Sequence, residues 1–201
     1  MLTKLKEKIQ QMLTAEAKAA RRIGLTPNTI SATGIILAFL SALAYTQWQI
    51  DELYLLLATA LLIASGFCDA LDGVIARLYQ QATPFGGFLD SLLDRYADAA
   101  VYTGIITSGL CEPLEGLTAL TGSLLVSYSR ARAEAAGIGM ESIGLAERAE
   151  RIIILAIATI ITIYWLPALN IGIIILAILS NLTVLQRSLH VYETLKKKGN
   201  D

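Results

Sequence analysis

Four aspartates, Asp69, Asp72, Asp90 and Asp94, fall inside one stretch, CDALDGVIARLYQQATPFGGFLDSLLD, of an otherwise strongly apolar chain. Asp69 and Asp72 are three positions apart and Asp90 and Asp94 four, so on helices each pair projects from a single face. Gly73 and Ala76 fall on the same stripe as Asp69 and leave the acidic face without bulky neighbours. A donor set made of carboxylates alone suits hard cations such as Mg²⁺, Mn²⁺ or Ca²⁺, and four of them carry the charge for two divalent ions. Two such ions about 3.5 to 4 Å apart stabilise the attacking and leaving oxygens of an in-line displacement at phosphorus. The chemistry this pattern points to is therefore phosphoryl transfer.

The elements that must hold these acids lie in a membrane. Of the 201 residues 55% are apolar and the mean hydropathy is +0.58, above the roughly 45 to 50% of soluble domains. Apolar blocks near residues 30–50, 53–78, 85–110, 113–136, 150–167 and 168–190 each approach the ~20 residues a spanning helix needs. The expected architecture is an all-α integral membrane protein of six transmembrane helices. A charged side chain in mid-span costs about 2.5 to 3.5 kcal/mol, so four bare carboxylates would cost on the order of 10 kcal/mol. Bound cations remove that penalty. The polar segment LYQQATPF, with Pro84, makes a turn that should bring spans two and three together as an antiparallel pair.

Residues 1–22 are too polar to span, and Leu2, Leu5, Ile9, Met12 and Leu13 sit near one face among Lys4, Lys6 and Lys8. They suit an N-terminal amphipathic interfacial helix. Thr26 is placed to cap the first span, with Pro27 at its first helical position. Net charge is only −1, but the basic residues all lie nearer one side of a six-span topology, and QWQIDELY, GLCEPLEG and WLPALN contain none. This is the positive-inside pattern. It puts both termini, and the aspartates with them, on the cytoplasmic side of the cell membrane. Cys68 and Cys111 fall on opposite sides, which argues against a disulfide. The chain divides into a juxtamembrane helix (1–22), one membrane domain (23–195) and a cytoplasmic tail (196–201).

The full spacing runs Asp69, two residues, Asp72-Gly73, two residues, Ala76-Arg77, eight residues, Gly86, three residues, Asp90, three residues, Asp94. It resembles the signature of the CDP-alcohol phosphotransferases, membrane enzymes with six helices that join an alcohol to the phosphate of a CDP-activated partner and release CMP. The resemblance implies that Asp69 and Asp90 bridge two Mg²⁺ or Mn²⁺ ions, that Asp72 holds one, and that Asp94 contacts the other and takes the acceptor's proton. It further implies that Gly73, Arg77 and Thr83, with Asn28 and Ser31 of PNTIS, contact the CDP moiety, and that the enzyme is a homodimer. Asp98 continues the stripe of Asp90 and Asp94 beyond the signature and reads as a supporting acid. Gly66, Ala70 and Gly104 read as helix-packing residues.

The signature leaves the acceptor open. SYSRARAEAAGIGMESIGLAERAERIIIL places Ser127, Arg130, Arg132, Arg148 and Arg151 around one cytoplasmic connection, with Arg187 able to join from the last span. Arginines grip phosphate oxygens through paired hydrogen bonds, whereas an uncharged alcohol gains little from them. SYSRARAE and GLAERAER also resemble segments of the phosphatidylinositol phosphate synthase branch and its archaeal ether-lipid relatives. The expectation is transfer of a diradylglycerol phosphate from a CDP-lipid to inositol 1-phosphate. Glycerol 3-phosphate is the alternative acceptor, and a cation transporter the alternative from another class. A transporter should show matching halves and a site near the midplane, whereas these acids gather at one hairpin. No nucleic-acid partner is expected.

Overall fold

The structure, a computed structural model, describes residues 14–140 and 143–198, and every regular element among them is helical. Helix α1 runs through residues 14–22. It is followed by α2 (Pro27–Thr46), α3 (Leu53–Leu78), α4 (Pro84–Thr107), α5 (Pro113–Ala135), α6 (Arg148–Thr162) and α7 (Ala168–Lys198). The apolar face expected on residues 1–13 lies outside the described residues. The part of α1 that is described seats Ala17 and Ala20 against Ile30, Leu71 and Ile75.

Local chemistry sets where these helices start. Thr26 caps α2: its hydroxyl accepts the Thr29 N–H at 3.3 Å, and Thr29 Oγ1 accepts the Thr26 N–H at 2.9 Å. Thr83 caps α4 in the same way, accepting the Gly86 N–H at 3.0 Å, with Pro84 in the first turn. Between α3 and α4 the chain reverses through Gln80, whose φ is +52°. The C-terminal ends of α2, α4 and α6 stop several residues before the apolar blocks do. Composition overestimates their length because apolar residues continue into the turns, where Trp48 Nε1 donates to the Ser108 carbonyl at 3.0 Å.

α2, α3 and α7 are long and apolar enough to cross a membrane. α4 and α5, at 24 and 23 residues, have the length but carry charges such as Asp90, Asp94, Asp98, Arg130 and Arg132. α6 has 15 residues, about 22 Å of helix against a hydrocarbon core of roughly 30 Å. Ile36, Leu43, Leu57, Ile63, Ile157 and Ile178 are exposed on the outer faces, the arrangement expected of helices solvated by lipid. Inside, Tyr45 and Thr159 share a hydrogen bond of 2.8 Å between fully buried hydroxyls.

α2 packs against both α3 and α4, α3 also against α6, α4 against α5, and α7 against α5 and α6. The expected pairing of α3 and α4 is seen at their acids, where Asp69 and Asp72 meet Asp90, although among the described residues the two helices make no extensive contact elsewhere. Their acidic faces look across a gap, and α2 joins them from the side. Repulsion among facing carboxylates opposes closure, and the gap leaves space for a ligand.

Gly104 sets the α2–α4 approach, since a Cβ there would lie 2.6 Å from the Ala42 carbonyl oxygen and 2.8 Å from its Cα. Gly66 does the same for α3 and α6 against Ile152, whereas Ala70 is exposed. Gly104→Val is expected to destabilise the protein by about 1 to 3 kcal/mol, because backbone cannot yield as a side-chain tip does. Unfolding in detergent micelles measures it. Cys68 and Cys111 are both free.

Candidate active site

The last turns of α3 present Asp69 and Asp72, and the second and third turns of α4 present Asp90 and Asp94. Oxygens of Asp69, Asp72 and Asp90 lie within 4.8 Å of one another. Two ligand oxygens on a cation at 2.0 to 2.6 Å can stand no more than about 5 Å apart, so these three carboxylates fit a hard divalent ion. α2 contributes Ser31, whose hydroxyl lies 2.6 Å from an Asp72 oxygen and 3.0 Å from the Pro27 carbonyl. That contact orients the most buried acid of the group, which is 4% exposed.

Asp94 lines the same cavity as the other three but faces an arginine. Arg148 Nη1 lies 2.7 Å from Asp94 and 2.8 Å from Asp69, and its Nε lies 3.2 Å from Asp98. Asp98 also receives Arg151 Nη2 and the Ser123 hydroxyl, each at 2.9 Å. Arg95 lies 3.6 Å from Asp94 and donates to the Ser91 carbonyl.

Beside the acids, a cleft of about 190 Å³ opens between the N-terminus of α2, the end of α3 and the start of α4. Asn28, Ser31, Gly73, Arg77 and Thr83 all line it, together with Asp72 and Asp90. A Cβ at Gly73 would meet only the Arg77 guanidinium, at 3.6 Å, so the glycine keeps that wall open to a bound group. Gln81, Ala82 and Gly87 also line it. Gln81 and Ala82 reach the cleft from the turn, where no spacing rule applies, and Gly87 reaches it from the first turn of α4.

The basic residues are dispersed more widely than expected. Ser127 and Arg130 share a face of α5, with the Ser127 hydroxyl 3.5 Å from the Ser123 carbonyl and Arg130 Nε 2.8 Å from Glu134. Arg132 is exposed and lies roughly 160° around the helix from Arg130. Arg187 is buried and donates Nε to the Ile143 carbonyl at 2.9 Å and Nη1 to the Val126 carbonyl. It ties α7 to α5 and to the connection that leads into α6. Arg151 Nη1 donates to the Ala146 carbonyl at 3.1 Å. Arg130 and Arg151 each remain within electrostatic range of Arg187, while Arg148 turns to the aspartates.

The connection before α6 is held by Thr183, whose hydroxyl accepts the Leu145 and Ala146 N–H groups at 3.0 and 3.2 Å. Gly144 has φ +131°, and a Cβ there would collide with the Thr183 side chain, so only glycine serves. This local fit sets the start of α6 and with it both Arg148 and Arg151. Asp98 has a larger part than its place outside the signature implied, since it joins α4, α5 and α6 through three side chains. Its four-residue step from Asp94 was the available signal.

The model of the CDP-alcohol phosphatidyltransferase family matches residues 24–185. Archaetidylinositol phosphate synthase of Pyrococcus horikoshii is 42% identical over 198 residues, covering 98% of each chain. The enzyme of the same name from Methanothermobacter thermautotrophicus is 43% identical over 178 residues, 88% of each. Among solved structures, phosphatidylinositol phosphate synthase of Mycobacterium tuberculosis with CDP-DAG bound superposes with a TM-score of 0.77 at 30% identity, covering 90% of this chain and 94% of that one. Its complex with manganese and citrate gives 0.76, also at 30% identity, covering 90% and 88%. The region matched by the family model contains the acidic cluster, the cleft and every arginine of the site except Arg187, and the chain belongs to the CDP-alcohol phosphatidyltransferase family, an enzyme of phospholipid biosynthesis.

Proposed function

We propose that this enzyme, of the inositol phosphate synthase type, transfers a diradylglycerol phosphate group, phosphatidyl or archaetidyl, from a CDP-lipid to inositol 1-phosphate and releases CMP. The observation that carries the reading is the meeting of Asp69, Asp72 and Asp90 within 4.8 Å beside a cleft lined by all five residues assigned to the CDP moiety. The names of the archaeal relatives and the CDP-DAG bound to the mycobacterial one support the donor and the acceptor.

In this reading Asp69, Asp72, Asp90 and Asp94 would hold two divalent cations, Mg²⁺ or Mn²⁺, with Asp69 and Asp90 serving both, Asp72 one and Asp94 the other. Manganese in a related structure supports the choice of ion. The bound ions would supply neutralisation of the diphosphate charge. Asn28, Ser31, Arg77 and Thr83 hold the cytidine diphosphate in the cleft, and Gly73 leaves it room. The acceptor hydroxyl loses its proton to the Asp94 carboxylate and forms a bond to the lipid-side phosphorus. The bond from that phosphorus to the bridging oxygen breaks, and the electron pair leaves with CMP. Ser127 and Arg130 on α5, with Arg151 in the first turn of α6, face the acceptor's phosphate. Arg187 supports them through the backbone it holds, and Arg132 meets lipid headgroups at the membrane surface.

The same proposal includes six transmembrane helices spanning the cell membrane in residues 23–195, an interfacial helix in 1–22, a tail at 196–201, both termini and the active site on the cytoplasmic side, and a homodimer. The absence of basic residues from the turns at 47–52, 108–112 and 163–167 supports the orientation.

Purified protein given CDP-lipid and Mn²⁺ is expected to release CMP with inositol 1-phosphate at least about ten times faster than with glycerol 3-phosphate or serine at equal concentration, the order of one well-made charge-assisted contact. Release with serine alone, or an equal rate with glycerol 3-phosphate, would refute the assignment of the acceptor. Cation uptake without CMP release from any acceptor would favour the transporter.

A further inference from the structure

Arg148 stands between the acidic cluster and the basic residues, and its contacts are of an unusual kind. Nη1 touches Asp69 and Asp94 at 2.8 and 2.7 Å and is buried, yet none of its N–H bonds is aligned on an acceptor. It makes a charge contact with two carboxylates at once, without directed hydrogen bonds, which is the role of a cation rather than of a hydrogen-bond donor. A guanidinium does not give up its proton in a protein, so this charge leaves the acids only by moving away.

Asp69 and Asp94 are also the acids that the two-cation reading assigns to one of the ions. An ion on those oxygens and Arg148 Nη1 at under 3 Å from both compete for the same lone pairs. The other side of the guanidinium has a separate anchor. Nε rests on Asp98 at 3.2 Å, and Asp98 is itself held by Arg151 and Ser123. The head of Arg148 can therefore turn about Asp98 without losing its last ion pair. Arg151, on the same carboxylate, is where the turn brings it.

We propose that Arg148 is a displaceable internal cation: it competes with divalent ions for Asp69 and Asp94, and loading of the site turns it about Asp98 toward the basic residues, where it adds a charge for the acceptor's phosphate. Metal loading and phosphate binding are thereby coupled through one side chain, and by linkage each strengthens the other. The proposal rests on the two-cation reading above.

Calorimetric titration of the full-length protein in detergent with MnCl₂, without substrates, tests it. Arg148→Gln removes the competing charge and is expected to bind Mn²⁺ roughly ten times more tightly than the wild type. In the wild type, saturating Mn²⁺ is expected to strengthen the binding of inorganic phosphate, and in Arg148→Gln that enhancement falls at least about three-fold. Mn²⁺ affinity unchanged or weakened in Arg148→Gln overturns the inference, because an arginine that only braces the helices would give that result. If Arg148→Gln is not recovered folded, Arg148→Lys carries the test. A lysine cannot span Asp69, Asp94 and Asp98 together, so Mn²⁺ is expected to bind about three times more tightly, and an equal or weaker affinity again overturns it. Wild-type protein that takes up no Mn²⁺ overturns the two-cation reading together with this inference, whereas uptake with no gain in the variants overturns this inference alone.

Discussion

Asp94→Asn is expected to lower CMP release by roughly 10² to 10⁴-fold, the range of a positioned general base, while the protein still takes up Mn²⁺. The separation between the two effects comes from geometry. Asp69, Asp72 and Asp90 converge within 4.8 Å without Asp94, so a cation keeps three carboxylate ligands when Asp94 becomes an amide. An amide of the same shape leaves the cavity intact but accepts no proton from the acceptor hydroxyl. Asp90→Asn is the contrast, since it removes a member of the converging trio and should lose Mn²⁺ uptake and CMP release together. Single-turnover CMP release paired with calorimetric Mn²⁺ titration reads both quantities. Asp94→Asn protein that keeps more than about a tenth of the wild-type rate would show that the proton goes elsewhere.

Asp98→Ala carries the second large effect, on stability as well as on turnover. The Asp98 carboxylate, 14% exposed, pairs with Arg151, whose side chain is 4% exposed, and with Arg148 at 18%. Little solvent screens these contacts. Removing the acid leaves Arg151 buried beside the Ser123 hydroxyl with no carboxylate, and breaking a buried pair in this way costs about 3 to 5 kcal/mol. Denaturant unfolding in micelles is expected to show that loss. Asp98→Asn should show a smaller one, since an amide oxygen still accepts from Ser123 and Arg151. At temperatures where Asp98→Asn stays folded, the KM for inositol 1-phosphate is expected to rise more than kcat falls, because Arg148 and Arg151 lose their common orientation while the aspartate trio is untouched. A fall in kcat alone would place Asp98 with the acids of the reaction rather than with the arginines.

Both expectations depend on features that were unequally visible in the chain. The spacing of Asp69, Asp72, Asp90 and Asp94 is enough to put each pair on a helix face, because 3.6 residues per turn is a local property of the backbone. The start of α2 was equally legible, since Thr26 and Pro27 act on their own turn, whereas Thr83 and Pro84 read as a CDP contact and a turn and prove to start α4 as well. Helix ends at the outer turns were not, because apolar composition does not distinguish a last helical turn from a lipid-facing loop. Gly73 and Arg77 belong to the family signature and Asn28, Ser31 and Thr83 follow from the wider resemblance, whereas Gln81 and Ala82 lie in a turn that has no periodicity to read.

The sequence alone determined the membrane character, the helical class, the faces of the acids and the kind of cation they suit, since hydropathy, period and donor chemistry belong to single residues and their near neighbours. Only the tertiary structure decided that α2 packs on both α3 and α4 while those two touch little outside their acids, that Arg187 spends its donors on backbone carbonyls, and that Arg148 meets Asp69 and Asp94. Those outcomes depend on distances between helices whose partners lie some 50 to 80 positions apart in the chain. Side-chain volume at close approaches such as Gly104 on Ala42 sets such distances, and no local pattern encodes which arginine will find which carboxylate.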